Sequence, residues 1–316
     1  MRQLLPAALK SVLGATPQWL AISLPAQRPV VDVILCTAGE DFDITDNNAV
    51  AALRPFTIRL GFDDRLKAAI DQSPESSIQL VDRLTTRVIG TLTLKHLRDW
   101  RTADAHMGLF EVTRATHYCA HRLRKAWDSY LYQRAARSTP SEKLLMPPIG
   151  VEQLMVFYLC PRPVFLVSVD DGTNSNIFPM DLVGALAPDR FTLALRNTSA
   201  SVQTIKNAGR VALADVPGSA CKIAYELGAH HKLANIDWDG LPFRTLRSKE
   251  YALPVPDIAP RVREVDILDS QTVGSHTLFV GRIRSEQMLS EGSHLCHTSV
   301  IHQRLRTHQK RPFLEA

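Results

Sequence analysis

The spacing of hydrophobic and polar positions along the chain predicts a mainly β protein with a few helices. In the second half, three runs are rich in the β-branched and aromatic residues that favour strands, at residues 161–169, 190–196 and 210–216. Between the second and third runs, Val202, Ile205 and Ala208 recur at helical spacing, and Gly209 follows as a stop signal. The pattern therefore indicates strand, strand, short helix and strand in succession.

A similar order of elements occurs in the first half of the chain, where a β run begins at Arg28, as another does at Arg162. The aligned pairs are Phe56 with Phe191, Leu60 with Leu195, and Ile70 with Ile205. Because the identities are few, two interpretations stay open, an internal repeat and chance similarity.

The junction before Val202 carries a cluster of small polar residues, at positions 197–201. The first turn of a helix presents unpaired backbone N–H groups and a partial positive charge, which together can hold a phosphate. The alternative is that Ser199 or Ser201 caps the helix with its hydroxyl. The local sequence fits both interpretations.

Composition limits the class of protein. At 316 residues the chain is long enough for two domains, and its net charge of +5 is compatible with anionic ligands without implying nucleic acid. The five cysteines are scattered without a CxxC pair, which favours a reducing compartment. No apolar run reaches 18 residues and no signal peptide is evident, so we expect a cytoplasmic protein.

Several chemical fingerprints are absent from the sequence, among them GxGxxG, the Walker loop, HExxH and GxSxG. Their absence disfavours Rossmann, P-loop, zinc-protease and esterase functions.

Two groups of residues resemble the flavin reductase-like family over roughly residues 155–285. The second group is the run Gly274-Ser275-His276-Thr277-Leu278-Phe279-Val280-Gly281. The first group comprises Arg162-Pro163-Val164, the turn at Gly172, Asn176, the corner Leu186-Ala187-Pro188-Asp189, and Ser201, Ile205 and Gly209. The resemblance implies an FMN-binding split β-barrel, so the expected fold class is a mainly β barrel with flanking helices.

The resemblance also implies a function and a site. The function would be NAD(P)H-dependent reduction of flavin that is passed to a partner monooxygenase, or a related flavin-dependent reduction, with FMN or FAD as cofactor. His276 would act near the flavin and nicotinamide as the catalytic residue. The cofactor would be held along its ring by Asn176, Ile177, Phe178, Pro179 and Met180, and at its phosphate by Asn197, Ser199 and Ser201. The alternatives are a haem- or flavin-binding module without turnover, a catalyst of a specialised pathway, and a docking domain in the N-terminal half.

The sequence departs from the family in two places. Asp181-Leu182 stands where the family often has a serine followed by an aromatic residue, and a basic tail replaces the usual aromatic-rich ending. That tail is expected to be partly disordered or to dock as a helix.

The predicted domains are a degenerate split-barrel-like domain at 1–115, a helical connector at 116–150, a flavin reductase-like domain at 151–290, and the tail at 291–316. Split barrels of this family usually form homodimers with FMN at the interface, so a tandem copy would build that pair within one chain. Asp63 and Asp64 replace the polar cluster in the first half and would repel a phosphate. We therefore expect only the C-terminal half to bind cofactor.

The connector helix, predicted at 117–137, has an apolar stripe expected to face the core, formed by Leu123, Trp127, Tyr130 and Leu131.

The remaining histidines have alternative interpretations, and no metal site is predicted. His230 and His231 beside Lys232 read as a solvated loop or as a holder of an anionic group. His117 and His121 share a helix face, as a metal pair would, or are ordinary exposed histidines. His294, Cys296 and His297 could ligate a haem iron or form part of the tail.

Overall fold

The computed structural model describes residues 19–25, 29–73, 75–101, 106–138 and 148–316, so Arg28 of the proposed repeat lies outside the described residues. The first half contains β1 (Trp19–Pro25), β2 (Val31–Thr37), β3 (Glu40–Asp43), β4 (Asn48–Leu53), β5 (Phe56–Gly61), α1 (Asp64–Gln72), β6 (Ser76–Asp82), β7 (Arg87–Arg101) and β8 (His106–His117). Two helices follow, α2 (Arg122–Ser138) and α3 (Pro148–Phe157).

The second half begins with β9 (Arg162–Pro163), β10 (Phe165–Asp170), β11 (Ser175–Met180), β12 (Val183–Ala187), β13 (Arg190–Arg196), α4 (Ser201–Ala208), β14 (Arg210–Asp215) and α5 (Cys221–Glu226). It continues with β15 (Thr245–Arg247), β16 (Pro254–Pro256), β17 (Arg261–Val273), β18 (His276–Met288), β19 (Ser293–Ser299) and α6 (Val300–His308). Strands dominate both halves, which confirms the prediction of a mainly β fold with flanking helices.

Each half forms a seven-stranded antiparallel sheet, and the two sheets have the same topology. The first has the order β3-β2-β6-β7-β8-β5-β4, and the second has the order β11-β10-β14-β17-β18-β13-β12. In both halves the chain passes through four strands, a helix and three more strands of the sheet. This correspondence fits the predicted tandem copies.

The irregularities of the two sheets also correspond. The β7–β8 hairpin shifts register at Thr93/Leu94 and at His96/Arg98, and the β17–β18 hairpin shifts at Glu264/Val265 and at Ile267/Asp269. A β-bulge changes the twist and direction of a strand, so two bulges at the same separation give both hairpins the same shape.

These registers correct one part of the sequence alignment. Through β8 and β18 they place Ile58, rather than Phe56, at the position of Phe191, and they pair Leu60 with Leu193 rather than with Leu195. The helices agree with the alignment, because Ile70 and Ile205 are each the last of three buried positions with the same spacing in α1 and α4.

The two copies meet through equivalent positions. Arg59 in β5 and Thr192 in β13 are equivalent by register, and Arg59 Nε donates a hydrogen bond to Thr192 Oγ1 at 2.7 Å. Their strand partners Ala49 and Gly184 also face each other, because a Cβ on Gly184 would lie 2.7 Å from that of Ala49. A local two-fold axis therefore relates the copies, as in a dimer built within one chain.

The tail from residue 291 is ordered and closes the molecule. Its strand β19 pairs with β1 on one side and β9 on the other, and Ser299 caps α6 by accepting a hydrogen bond from the Ile301 N–H at 3.2 Å. Of the two expectations for the tail, docking as a helix is the one observed.

The prediction for the connector helix is wrong in one respect. Helix α2 begins at Arg122 and its apolar stripe faces solvent, with Leu123 78% exposed and Trp127 and Tyr130 about half-exposed. Helix α3 takes the inner position instead, since Leu154 and Val156 are buried in the core. No helix in the described ranges is long and apolar enough to cross a membrane.

Candidate functional site

A cavity of about 390 Å³ lies where the C-terminal sheet meets the N-terminal copy. Its walls come from the end of β11, the end of β13, the loop before α4, the segment Leu227–Lys232 and the start of β18, together with Trp19 and Leu53 from the first half. Its volume falls within the range of small-molecule sites.

Strand alternation decides which side chains at the end of β13 enter the cavity. Arg196 and Thr198 line it, whereas the intervening Asn197 points to the opposite side. There the Asn197 amide donates to the Gly274 carbonyl at 3.1 Å and accepts from the Thr277 hydroxyl at 3.0 Å. Asn197 therefore holds the β17–β18 turn in place.

The two serines near the start of α4 occupy different environments. Ser199 lines the cavity and donates from Oγ to the His231 carbonyl at 3.2 Å. Ser201 is fully buried, and its Oγ accepts from Asn176 Nδ2 at 3.2 Å. The N-cap residue is Ala200, without a side-chain bond to the helix, so the capping interpretation is wrong for both serines.

The predicted ring-binding segment divides in the same way. Asn176, Ile177 and Phe178 are fully buried, whereas Pro179 and Met180 line the cavity. The Asn176 amide also donates to the carbonyls of His230 at 2.9 Å and Leu233 at 2.8 Å. The first three residues therefore support the wall, and the last two form its surface.

His276 reaches the cavity because its turn packs closely on the first copy. Gly274 has a φ of +52°, and a Cβ there would lie 2.1 Å from the Arg54 carbonyl oxygen, so only glycine fits. His276 Nδ1 accepts from the Leu53 N–H at 3.4 Å and lies 2.8 Å from Ser275 Oγ. The proton is thereby assigned to Nε2, which is buried without a partner.

Burial, and then the charge of Arg196, lowers the pKa of His276 to about 4. The ring is thus neutral at physiological pH and retains one N–H, at Nε2, that has no partner among the described residues.

Two cations, Arg196 and Lys232, line the cavity together with the hydroxyl residues Thr198 and Ser199, and Asp181 is the acidic residue of its lining. Neither cation forms an ion pair with a carboxylate among the described residues. Burial, and then the nearby Arg54, lowers the pKa of Arg196. The sequence indicated Lys232 as part of a possible anion holder but did not indicate Arg196. The signal available for Arg196 was its alternation with Asn197 at the end of β13.

The paired histidines of that loop have a defined structural role. His230 Nδ1 lies 2.8 Å from the Ile177 carbonyl, and His231 Nε2 lies 2.8 Å from the Pro179 carbonyl. Burial lowers the pKa of His231, which favours the neutral ring. The loop is therefore bound to β11 rather than solvated, and it places Lys232 at the cavity.

The residues considered as haem ligands do not converge. His294 Nδ1 lies 3.3 Å from Asp215, His297 Nδ1 lies 2.7 Å from Asp181, and Cys296 packs against Ile22. Similarly, His117 is buried while His121 is exposed. Over the described residues, no group of three or more side chains is arranged to hold a metal ion.

A second cavity, of about 690 Å³, lies between Phe62 and Leu66 of the first copy and Pro188 and Phe191 of the second. Leu66 occupies the helix position that corresponds to Ser201. Its acidic lining residues are Asp43, Asp46, Asp63 and Glu286. The two cavities between the copies thus differ in charge.

The chain was compared with curated proteins, with solved structures and with models of protein families. No curated protein matches the sequence. Among solved structures, the chain is similar to the FMN-binding protein of Thermus thermophilus, with 21% identity and a TM-score of 0.37, over 41% of this chain and 71% of that chain. It is also similar to the NADH:FAD oxidoreductase SgcE6 of Streptomyces globisporus, with 19% identity and a TM-score of 0.42, over 49% of this chain and 93% of that chain.

A third structure, nitrilotriacetate monooxygenase component B from Mycobacterium thermoresistibile, shows 18% identity and a TM-score of 0.36, over 42% of this chain and 73% of that chain. In all three cases the similarity covers less than half of this chain.

The family comparison is more specific, because it includes the loop before α4, the histidine loop and His276 in one continuous match. Residues 157–300 match the model of the flavin reductase like domain, which confirms the resemblance predicted for the C-terminal half of the chain.

Proposed function

We propose that the chain is a flavin-dependent oxidoreductase that binds FMN in the 390 Å³ cavity between its two copies. NAD(P)H would supply the electrons, and the reduced flavin would pass to a partner monooxygenase or take part in a related reduction. The match of residues 157–300 to the flavin reductase like domain supports a flavin as the cofactor. We prefer FMN to FAD because FMN carries a single phosphate, and Arg196 and Lys232 provide one pair of cations to bind it.

The residues of the cavity fit a flavin in three ways. Arg196 and Lys232 supply positive charge for a phosphate, and the Thr198 hydroxyl lies with them. Pro179, Met180 and Leu182 form an apolar surface of the kind a planar ring requires. The unpartnered N–H of His276 offers a donor to a ring oxygen or nitrogen. The observation that carries the proposal is the pair of cations, Arg196 and Lys232, that have no carboxylate partner within the described part of the chain and that line the same cavity as this apolar wall.

Each group of residues would contribute a separate task. When bound, the flavin accepts and donates hydride, and the protein supplies binding, orientation and exclusion of water. The cations and Ser199 would fix the phosphate end, and Trp19 and Leu53 would cover the ring from the first copy. His276 would donate its Nε2 proton in a hydrogen bond without carrying charge.

The other predicted residues would act by supporting this surface. Asn176, Ile177, Phe178 and Ser201 lie behind the wall, and Asn197 fixes the turn that carries His276. Their substitution would alter flavin binding through the position of the wall rather than through a lost contact.

Comparison of FMN with riboflavin tests the phosphate site. Charge-assisted hydrogen bonds contribute roughly 1.5–3 kcal/mol, so Arg196→Ala should weaken FMN binding about 10- to 100-fold. Riboflavin, which lacks the phosphate, should bind both proteins alike. Lys206→Ala, an exposed change in the last turn of α4, is the matched control. The phosphate site is disproved if Arg196→Ala leaves FMN affinity unchanged in fluorescence titrations.

Turnover requires a separate measurement. Oxidation of NADH or NADPH that depends on added FMN would support the reductase function. Bound FMN without such oxidation would indicate the binding module instead.

A further inference from the structure

A smaller cavity, of about 140 Å³, adjoins the proposed flavin cavity. The two share Pro179, Met180, Asp181 and Gly228 as lining residues. The lining residues that belong to the smaller cavity alone are Val164, Ala224, Tyr225, Leu295 and His297. A molecule in the smaller cavity would therefore lie beside the proposed flavin.

The polar side of this cavity is a chain of hydrogen bonds. Tyr158 donates to Asp181 Oδ2 at 2.9 Å, and His297 Nδ1 lies 2.7 Å from the same oxygen. His297 Nε2 in turn lies 3.2 Å from the Tyr225 hydroxyl. Because an ionised carboxylate only accepts, His297 Nδ1 carries a proton and Nε2 faces Tyr225.

Asp181 is suited to hold His297 in this orientation. Burial opposes its ionisation, but the hydrogen bond and charge of His297, followed by the bond from Tyr158, keep the pKa of Asp181 below its ordinary value. A carboxylate on Nδ1 fixes the orientation of the imidazole, so Nε2 is held next to the Tyr225 hydroxyl. Asp181 is the residue at which the sequence departs from its family.

The remaining walls determine the size and polarity of a ligand. Val164, Ala224 and Leu295 are apolar and buried. An apolar protein cavity of roughly 150 Å³ accommodates one benzene molecule, so the space suits a single ring. Its only polar partners, within the described residues, are Asp181, Tyr225 and His297. The Tyr225 hydroxyl can donate a proton, so a ligand oxygen would be bound there as an acceptor.

We propose that the smaller cavity binds a single-ring carbonyl compound, and that Tyr225, oriented by His297, protonates its oxygen during reduction. The proposal rests on the proposed function, because reduced flavin in the larger cavity is the hydride donor. It assigns an organic substrate to the chain in addition to free flavin.

The step balances in atoms and electrons. Hydride from the reduced flavin forms a C–H bond at the carbonyl carbon while the C=O π bond breaks, and the Tyr225 proton forms the O–H bond. The carbonyl gains two electrons, and the flavin loses two. Tyr225 recovers its proton from solvent, which it reaches because it is about half-exposed.

Binding can be tested without turnover, using benzaldehyde labelled with ¹³C at the carbonyl. In ¹³C NMR, both flavin-free and oxidised FMN-loaded protein should bind it and move the carbonyl resonance downfield, as hydrogen bonding to the oxygen requires. Tyr225→Phe should bind benzaldehyde within about threefold of wild type but lose most of the downfield shift. Ala224→Leu should abolish binding by filling the cavity, and Lys222→Ala on the same helix, with its side chain 89% exposed, should match wild type.

Proton supply is tested by single turnover in anaerobic, chemically reduced, FMN-loaded protein with excess benzaldehyde. Tyr225→Phe should lower the rate of benzyl alcohol formation at least about tenfold and leave FMN affinity unchanged.

Competition between FMN and benzaldehyde for binding, or a carbonyl resonance that does not shift in wild type, would overturn the proposal. Equal rates in wild type and Tyr225→Phe would do the same. If FMN itself does not bind, the proposed function fails, while benzaldehyde binding to the flavin-free protein still decides whether the cavity is a carbonyl site. If Ala224→Leu does not fold, the carbonyl shift and the single-turnover rate of Tyr225→Phe decide whether the proposal holds.

Discussion

His276 has its ring orientation and tautomer fixed by the first copy of the fold. The Leu53 N–H donates to Nδ1, so the proton remains on Nε2, which is buried without a partner among the described residues. Because burial lowers the pKa of His276 to about 4, the ring stays uncharged throughout the physiological range. A donor of this kind can hold a ligand without repelling a cationic nicotinamide.

Replacing His276 should therefore affect hydride transfer more than flavin binding. We expect His276→Ala to slow flavin reduction by NADH about 10- to 100-fold and to change FMN affinity by less than about threefold, because one neutral hydrogen bond is lost. Stopped-flow absorbance gives the first quantity and fluorescence titration gives the second. With His276→Gln, which retains a donor, the rate should partly recover. An unaltered rate in His276→Ala would leave the residue with a structural role only.

The sequence indicated segments that the structure places at the cavity, but it could not assign every side chain within them. Asn197, Ser199 and Ser201 were selected because polar residues cluster before a helix, yet Arg196 and Thr198 reach the cavity beside Ser199. The deciding factor is the direction of β13 relative to the turn at Gly274, which depends on pairing between strands far apart in sequence.

At the scale of elements, helix α2 shows how tertiary packing decides burial. Its apolar positions have helical spacing, but α3 packs against β7 and β8 and takes the place that the stripe of α2 would need. Spacing predicts a helix and an apolar face, but not which of two neighbouring helices will cover the sheet.

Strand β12 meets β4 so closely at Gly184 that an added methyl group should be costly. The new Cβ would lie 2.7 Å from Ala49 Cβ and 3.0 Å from the Asn48 carbonyl oxygen, neither of which can move freely. We expect Gly184→Ala to lower the free energy of unfolding by roughly 1–3 kcal/mol through overpacking. Gly292→Ala, whose nearest contact is 3.7 Å, is the control and should change it by less than about 0.5 kcal/mol. Urea unfolding measures the stability of both variants. Equal unfolding midpoints for Gly184→Ala and Gly292→Ala would mean that β4 and β12 move apart readily to admit the methyl group.

At the scale of the whole molecule, the repeat was visible in the order of elements before it was visible in residues. Few identities survive between the halves, whereas strand order and bulge positions are retained. Backbone geometry tolerates many substitutions as long as the apolar pattern remains, so topology outlasts sequence similarity.

The molecule should lose stability in mild acid because three histidines are buried in neutral form. Burial lowers the pKa values of His117, His276 and His302 to about 4 each. An unfolded histidine titrates near 6.5, so between the two values the unfolded chain binds more protons and folding weakens as pH falls. At about pH 5.5 each group should cost about 1 kcal/mol relative to pH 7.

Urea unfolding at the two pH values checks this expectation. In His302→Gln the loss between them should be smaller by about one third, because one of the three groups no longer titrates. A free energy of unfolding that is the same at both pH values would show that the rings are already charged or hydrated in the folded protein.

The Arg59–Thr192 contact limits how this architecture could have been assembled from separate chains. Arg59 also donates to the carbonyls of Asn47 at 2.8 Å and Ala185 at 2.7 Å, so its three bonds require a threonine, not another arginine, across the axis. Two identical N-terminal halves would place guanidinium against guanidinium, and two identical C-terminal halves would leave the Ala185 carbonyl without its arginine donor. Each half is therefore complementary to the other and poorly matched to itself, so this contact favours the pairing of unlike halves that a single chain provides.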